Sequence, residues 1–180
     1  MRTLAGTGRD MRRNRKGQAA VESALIIIPL FAVLCAVIDF SMGLFIRNSL
    51  ISAVRAGTRY AITGQTGAGG FACQDASIKS IVQTNAMGVL AGASGLSKIQ
   101  INYYDPATLA DVSAAANSNG EGHVIRVSVS GVSWLWMLSG MWANVDAMKN
   151  PGAPQYNGLT IGAASSDIME PPPNGVPPCR

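Results

Sequence analysis

Few residues in this 180-residue chain have the chemistry of a reaction centre, and their spacing narrows the choice further. His123 is the only histidine, so neither a histidine-based metal site nor a Ser-His pair has enough parts. Gly67-Ala-Gly-Gly70 lacks the Lys and Ser/Thr that complete a phosphate-cradling loop. Gly92-Ala-Ser94-Gly95 is one residue short of a nucleophile elbow. Asp105, Asp111 and Glu121 fall together in a connection between apolar segments, a place for solvated turn residues rather than a general acid and base. We therefore expect no enzyme: no catalytic residue, metal, cofactor or small-molecule substrate. What remains are two carboxylates beside or within an apolar run, Glu22 and Asp39, three cysteines, and a group of tryptophans at Trp134, Trp136 and Trp142.

The two carboxylates are positioned by one element. No residue from Ser23 to Ile38 is charged, and with Asp39 admitted the apolar stretch continues to Ile46. At about 1.5 Å per residue those residues cover the ~30 Å hydrocarbon core of a bilayer. Ahead of it lies a basic head, where Arg2, Arg9, Arg12, Arg13, Arg15 and Lys16 are opposed only by Asp10. The remaining 163 residues are nearly neutral, so the formal charge of +4 belongs to a targeting segment and not to a nucleic-acid-binding surface. Basic residues before the span place the N-terminus in the cytoplasm and the rest of the chain outside. Only 13% of residues are charged and 48% are apolar, which argues against a disordered chain. A lipoprotein signal fails because Leu34 precedes Cys35, and a conventional signal-peptidase cut near Ser41 and Gly43 is a poor fit beside Asp39.

At the join of head and span stand Lys16-Gly17-Gln18-Ala19-Ala20-Val21-Glu22. A Gly closing a basic leader, with a Glu five positions later at the lip of an apolar helix, is the type IV prepilin pattern. Together with Pro29-Leu30, Ile38-Asp39-Phe40 and Arg55-Ala-Gly-Thr-Arg-Tyr60, it resembles the TadE-like proteins of tight-adherence (Tad/Flp) pilus assembly over about residues 15–63. Two positions depart from the usual family pattern, Ser23 where Phe follows the Glu and Ser41 where Gly follows Asp-Phe. The resemblance implies a pilin-like (pseudopilin) protein cut by a prepilin peptidase between Gly17 and Gln18. It further implies that Glu22 neutralises the freed amine of a neighbouring subunit during assembly, with other pilin-like subunits and Tad apparatus proteins as partners.

Physical reasons stand beside the resemblance. Gly17 accepts an extended conformation that a protease at the membrane face requires. Glu22 lies four residues from Gln18, on one helical face, and a carboxylate also suits a helix N-terminus. Pro29 removes the helical bond to the Leu25 carbonyl and is tolerated among bundle neighbours. Asp39 either faces a partner, as intramembrane carboxylates do, or is solvated at the outer end of the span.

Beyond the membrane, helical periodicity persists through Leu50, Ile51, Val54 and Thr58, with Arg47, Arg55 and Arg59 on other faces, until Thr63-Gly64 breaks it. One helix over about residues 19–62 is on the order of 65 Å long. The exported part is expected to be a small α+β domain: a helix over about 76–90 and a roughly three-stranded antiparallel sheet at Ile99–Tyr103, Ile125–Val129 and Leu159–Ala163. The expected divisions are a leader at 1–17, a transmembrane helix at 18–46, its extension at 47–63, the α+β domain at 64–170 and a Pro-rich tail at 171–180 in an extended conformation. The tryptophan cluster would close the core, sit at the headgroup level or contact a partner.

Cys35 lies within the apolar run, which leaves Cys73 and Cys179 in the exported part. An oxidising compartment favours a disulfide between them, with a free thiol or an intersubunit bond as the alternatives. The overall expectation is a non-enzymatic minor pilin-like subunit in the bacterial inner membrane, with a periplasmic C-terminal domain. The alternative is an uncleaved single-pass anchor displaying a binding module.

Overall fold

The computed structural model describes residues 8–115, 117–134, 158–172 and 179–180, with side chains of the first helix from Gly17 onward. The chain forms two compact units, one ending at Ser41 and one running from Met42 to Arg180, and α1 (Gly8–Ile62) contributes to both. The helix begins ahead of the expected Ala19. Gly17 does not end it, because a glycine's cost of about 1 kcal/mol in a helix interior is small against many consecutive hydrogen bonds.

In the first unit α1 continues through Pro29. Its large apolar residues, among them Leu25, Ile28, Phe31 and Val37, are exposed, the pattern of a helix whose solvent is lipid. Among the described residues this is the one helix long and apolar enough to cross a membrane. Cys35 and Asp39, one turn apart, are the exceptions to the exposure.

The second unit is built around the C-terminal part of α1. Ile46, Leu50, Ala53, Val54 and Ala61 recur at helical spacing and are buried, and Thr58 satisfies its hydroxyl on the Val54 carbonyl at 2.9 Å. Helix α2 (Gln74–Asn85) runs antiparallel to it. Its Gln74 amide donates to the Ala61 carbonyl at 2.9 Å near one end, and Ser49 donates to the Met87 sulfur at 3.8 Å just past the other. Ile78 and Val82, four apart, supply its buried face. The helix stops short of the expected residue 90, since Met87 and Gly88 take positive φ and turn the chain. Leu90 nevertheless stays fully buried, which is why its apolar signal looked helical. A short helix, α3 (Gly92–Leu96), follows.

The sheet has the order β1-β2-β3, antiparallel throughout, from Ile99–Tyr104, Val124–Trp134 and Leu159–Ile168. Register pairs Ile99 with Val129 and Tyr103 with Ile125, so the alternating apolar set of both strands lies on one face. A bulge between Val129 and Val132, with Gly131 at φ 74°, shifts the pairing of β2 with β3. Gly57 marks where the layers meet. A Cβ there would run into Val82 and lie 3.6 Å from Ile78 and 3.7 Å from Val127, so α1, α2 and β2 close on one another at a residue without a side chain.

Candidate functional site

The start of the apolar helix carries the first group of candidate residues. Gly17 is exposed, and a Cβ built on it would meet nothing within 4 Å, so the fold itself does not require glycine there. Gln18 Nε2 donates to Glu22 Oε1 at 3.3 Å, one turn along the same face, and both side chains are exposed. A carboxylate one turn from Gln18 is placed to hold a positive charge generated at that residue. Asp39 is only 1% exposed and has an interacting partner, so it is not a solvated carboxylate. Burying such a group in a helix is costly unless it is engaged.

A second group lies where β1 reaches the start of α2. Cys73 and Cys179 are joined by a disulfide with their Cα atoms 4.7 Å apart. The Gln74 N–H donates to the Cys179 carbonyl at 2.6 Å. Arg180 then pairs with Asp75 at 3.3 Å, donates to Ser118 Oγ at 2.6 Å and to the Ser113 carbonyl, and stacks 4.5 Å from the ring centroid of Tyr103. Residues 179–180 are therefore docked on the domain, and Pro171 and Pro172 lie outside the sheet. The Tyr103 hydroxyl donates to Asp75 at 2.7 Å. Burial pushes the Tyr103 phenol well above its usual range, and the charge and hydrogen bond of Asp75 add to this against the opposing charge of Arg180. Next to this group Asn119 donates to the buried Gln74 at 2.7 Å. Gln74, Asp75, Tyr103, Ser118, Asn119 and Arg180 did not stand out in the sequence. The one available signal was that Arg180 follows Cys179, so a bridge to Cys73 carries it to Asp75.

The sequence candidates do not converge on one centre. Gly17, Gln18, Glu22, Pro29 and Asp39 lie on α1, whereas Cys73 and Cys179 lie in the second unit. Trp134 ends β2 and packs partly buried against the core. Trp136 and Trp142 lie outside the described residues. His123 precedes β2, where its carbonyl accepts from Met169 at 2.8 Å. Asp105, half-buried, and Asp111, exposed, are turn residues. Asp105 is held below the usual carboxylate range mainly by bonds from Thr108, and Asp111 mainly by bonds from Ser113. Among the described residues no group of three or more His, Cys, Asp or Glu could hold a metal ion.

Residues 17–59 match the model of the family described as TadE-like protein. Over that part the chain is a member of the TadE-like family. The match opens on Gly17, the residue that closes the basic head, and ends at Arg59 in the outer part of α1. Membership brings a general pilin-like role in a Tad pilus system and an association with the membrane. No curated protein and no solved structure matches the chain.

Proposed function

We propose that this TadE-like chain is a minor pilin-like subunit that enters Tad/Flp pilus assembly after a prepilin peptidase cuts between Gly17 and Gln18. The observation that carries the reading is the exposed Gln18–Glu22 pair, at 3.3 Å, beside an exposed Gly17 at the lip of the apolar helix. Peptidases bind extended backbone, and Gly17 sits in a helix that must open locally for cleavage. Glycine weakens the helix by about 1 kcal/mol relative to alanine and so lowers that cost. After the cut, the new cation and the Glu22 carboxylate lie within one helical turn, available to each other or to a parallel neighbour in lipid, where unpaired charge is costly. The helix from Gln18 to about Ile46 is then the membrane anchor in the bacterial inner membrane, with the basic leader cytoplasmic and the domain from about residue 64 periplasmic. Other pilin-like subunits and Tad apparatus proteins are its partners. The role is assembly, with no catalysis.

Intact-mass measurement of the membrane-extracted protein tests this directly. Loss of residues 1–17 is expected in cells with an active prepilin peptidase, and retention of the full chain there overturns the reading in favour of an uncleaved anchor. Replacing Gly17 by a bulky residue is expected to block processing without affecting insertion, because the apolar span is untouched.

A further inference from the structure

The outer part of α1 and the β1–β2 connection carry opposite charge. Arg47, Arg55 and Arg59 fall in a stretch without any acidic residue between Asp39 and Asp75. Residues 105–123 hold Asp105, Asp111 and Glu121 without a Lys or Arg. Arg55 and Arg59 stand one turn apart, exposed, on the wall of a groove of about 800 Å³ whose apolar lining includes Ile51, Ala56 and Ile81. Among the described residues neither arginine has an acceptor, and the one ion pair is Arg180 with Asp75.

The acidic connection has a rigid tip of matching composition. Asp105 accepts from the Ala107 and Thr108 N–H groups at 2.9 and 2.8 Å, and the Leu109 N–H closes onto the Asp105 carbonyl at 2.8 Å. Asp111 accepts from Ser113 and Asn102 at 2.8 and 3.1 Å. Between the two carboxylates Leu109 is held at φ 56°, a conformation uncommon for leucine, and is 68% exposed. An apolar residue flanked by two carboxylates thus faces solvent, and elsewhere on the same domain an apolar floor is flanked by two arginines.

We propose that the Arg59–Thr63 end of the α1 groove receives the Asp105–Asp111 turn of a second copy of this chain, with Leu109 over Tyr60 and Thr63 and the carboxylates paired to Arg59 and Arg55. The level of the two surfaces agrees. Tyr104, at the start of the connection, pairs with Val124, and Val124 with Ile168, while the Glu170 N–H bonds the Ile62 carbonyl at 3.1 Å. The turn and the Arg59–Ile62 end of α1 therefore share one end of the domain. Copies anchored by the same span stand parallel, a step that rests on the assembly reading above, so a neighbour's turn arrives at the height of the arginines. A lipid headgroup is a poorer occupant. Arg55 lies nine residues past Ile46, about 13 Å along the helix, beyond the roughly 5–8 Å headgroup layer of a bilayer whose hydrocarbon ends near Ile46. The two surfaces differ, so the contact is heterologous and propagates from copy to copy into a row, as a fibre requires.

The test uses two differently tagged full-length chains expressed together, one with Gln65→Cys on the groove and one with Leu109→Cys at the turn. Oxidation of membranes is expected to link the two tags through the introduced cysteines. Neutralising the groove (Arg55→Gln with Arg59→Gln), or the turn (Asp105→Asn with Asp111→Asn, which preserves the acceptor oxygens), is expected to reduce the linked product about tenfold. Both together should reduce it little further, as coupled partners do. Retention of the Cys73–Cys179 bridge on a non-reducing gel confirms that each variant folds. Absence of the linked product, indifference to both neutralisations, or linkage of the Gln65→Cys chain to a different protein overturns the contact. Tags that co-purify without the linked product leave the assembly reading standing, whereas tags that never co-purify in cells making pili remove that reading as well.

Discussion

Replacing Cys179 by Ser opens a covalent loop with a sequence separation of 106, and the position of that loop sets the size of the effect. It encloses α2, α3 and all three strands but leaves α1 outside. In the chain-entropy account, closing a loop of this length restricts the unfolded chain by about 5 kcal/mol at 25 °C. That is a large share of the roughly 5–15 kcal/mol that holds ordinary domains folded. The substitution also frees residues 179–180, which now hold the Gln74 N–H and deliver Arg180 to Asp75 and Tyr103. The expected loss is therefore about 4–5 kcal/mol for the α2–β3 part. Docking of the outer α1 face on that part falls only as a consequence, because the loop excludes it. Pulse proteolysis of the full chain in detergent across a urea series reads the change, with Cys73→Ser and the double replacement as companions. All three are expected to lose stability equally. A loss under 1 kcal/mol, or a double replacement much worse than either single one, would refute the reasoning that the bridge acts by restricting the unfolded chain.

Three further outcomes are expected. If Glu22 serves only as a helix-terminus charge, Glu22→Gln costs a few tenths to about 1 kcal/mol and leaves piliation intact; pairing with a neighbour's amine predicts that piliation falls while cleavage after Gly17 persists, which a pilus-shearing assay with intact-mass analysis distinguishes. Gly57→Leu forces a side chain into Val82, Ile78 and Val127, and about 1–3 kcal/mol or more of stability should be lost, read by the same proteolysis series; an unchanged midpoint would mean α1 does not close on α2 there. The phenol of Tyr103 favours its neutral form in the fold, so its contribution is present in full below the ordinary value of 10.0 and is lost as pH rises beyond it; ultraviolet titration should show its ionisation only together with unfolding, and a full complement of tyrosines titrating in the folded protein would contradict its burial against Asp75.

The membrane helix and two of the strands follow from local pattern alone. Twenty-four residues interrupted only by Asp39 can be stable only as a helix in an apolar medium, and the TadE-like match lies along that same helix. Alternation of apolar residues at Ile99, Ile101 and Tyr103, and again at Ile125, Val127 and Val129, was enough for two strands, because one face of an antiparallel sheet reads with period two. Periodicity failed where burial came from outside the segment. Leu90 is buried by its neighbours after the helix has ended, so its apolar signal carried no information about α2's boundary. The sequence left open whether Asp39 is solvated, and it favoured the Cys73–Cys179 pairing by compartment and elimination, not by any contact legible in the chain. Only the tertiary structure buries Asp39, and only it brings Cys179 back to the start of α2, past more than a hundred residues. Arg180 reaches Asp75 and Tyr103 only through that return, and Tyr103 meets Asp75 only because β1 comes back to the start of α2. Such long-range contacts depend on which surfaces meet after the elements form, and no spacing along the chain encodes them.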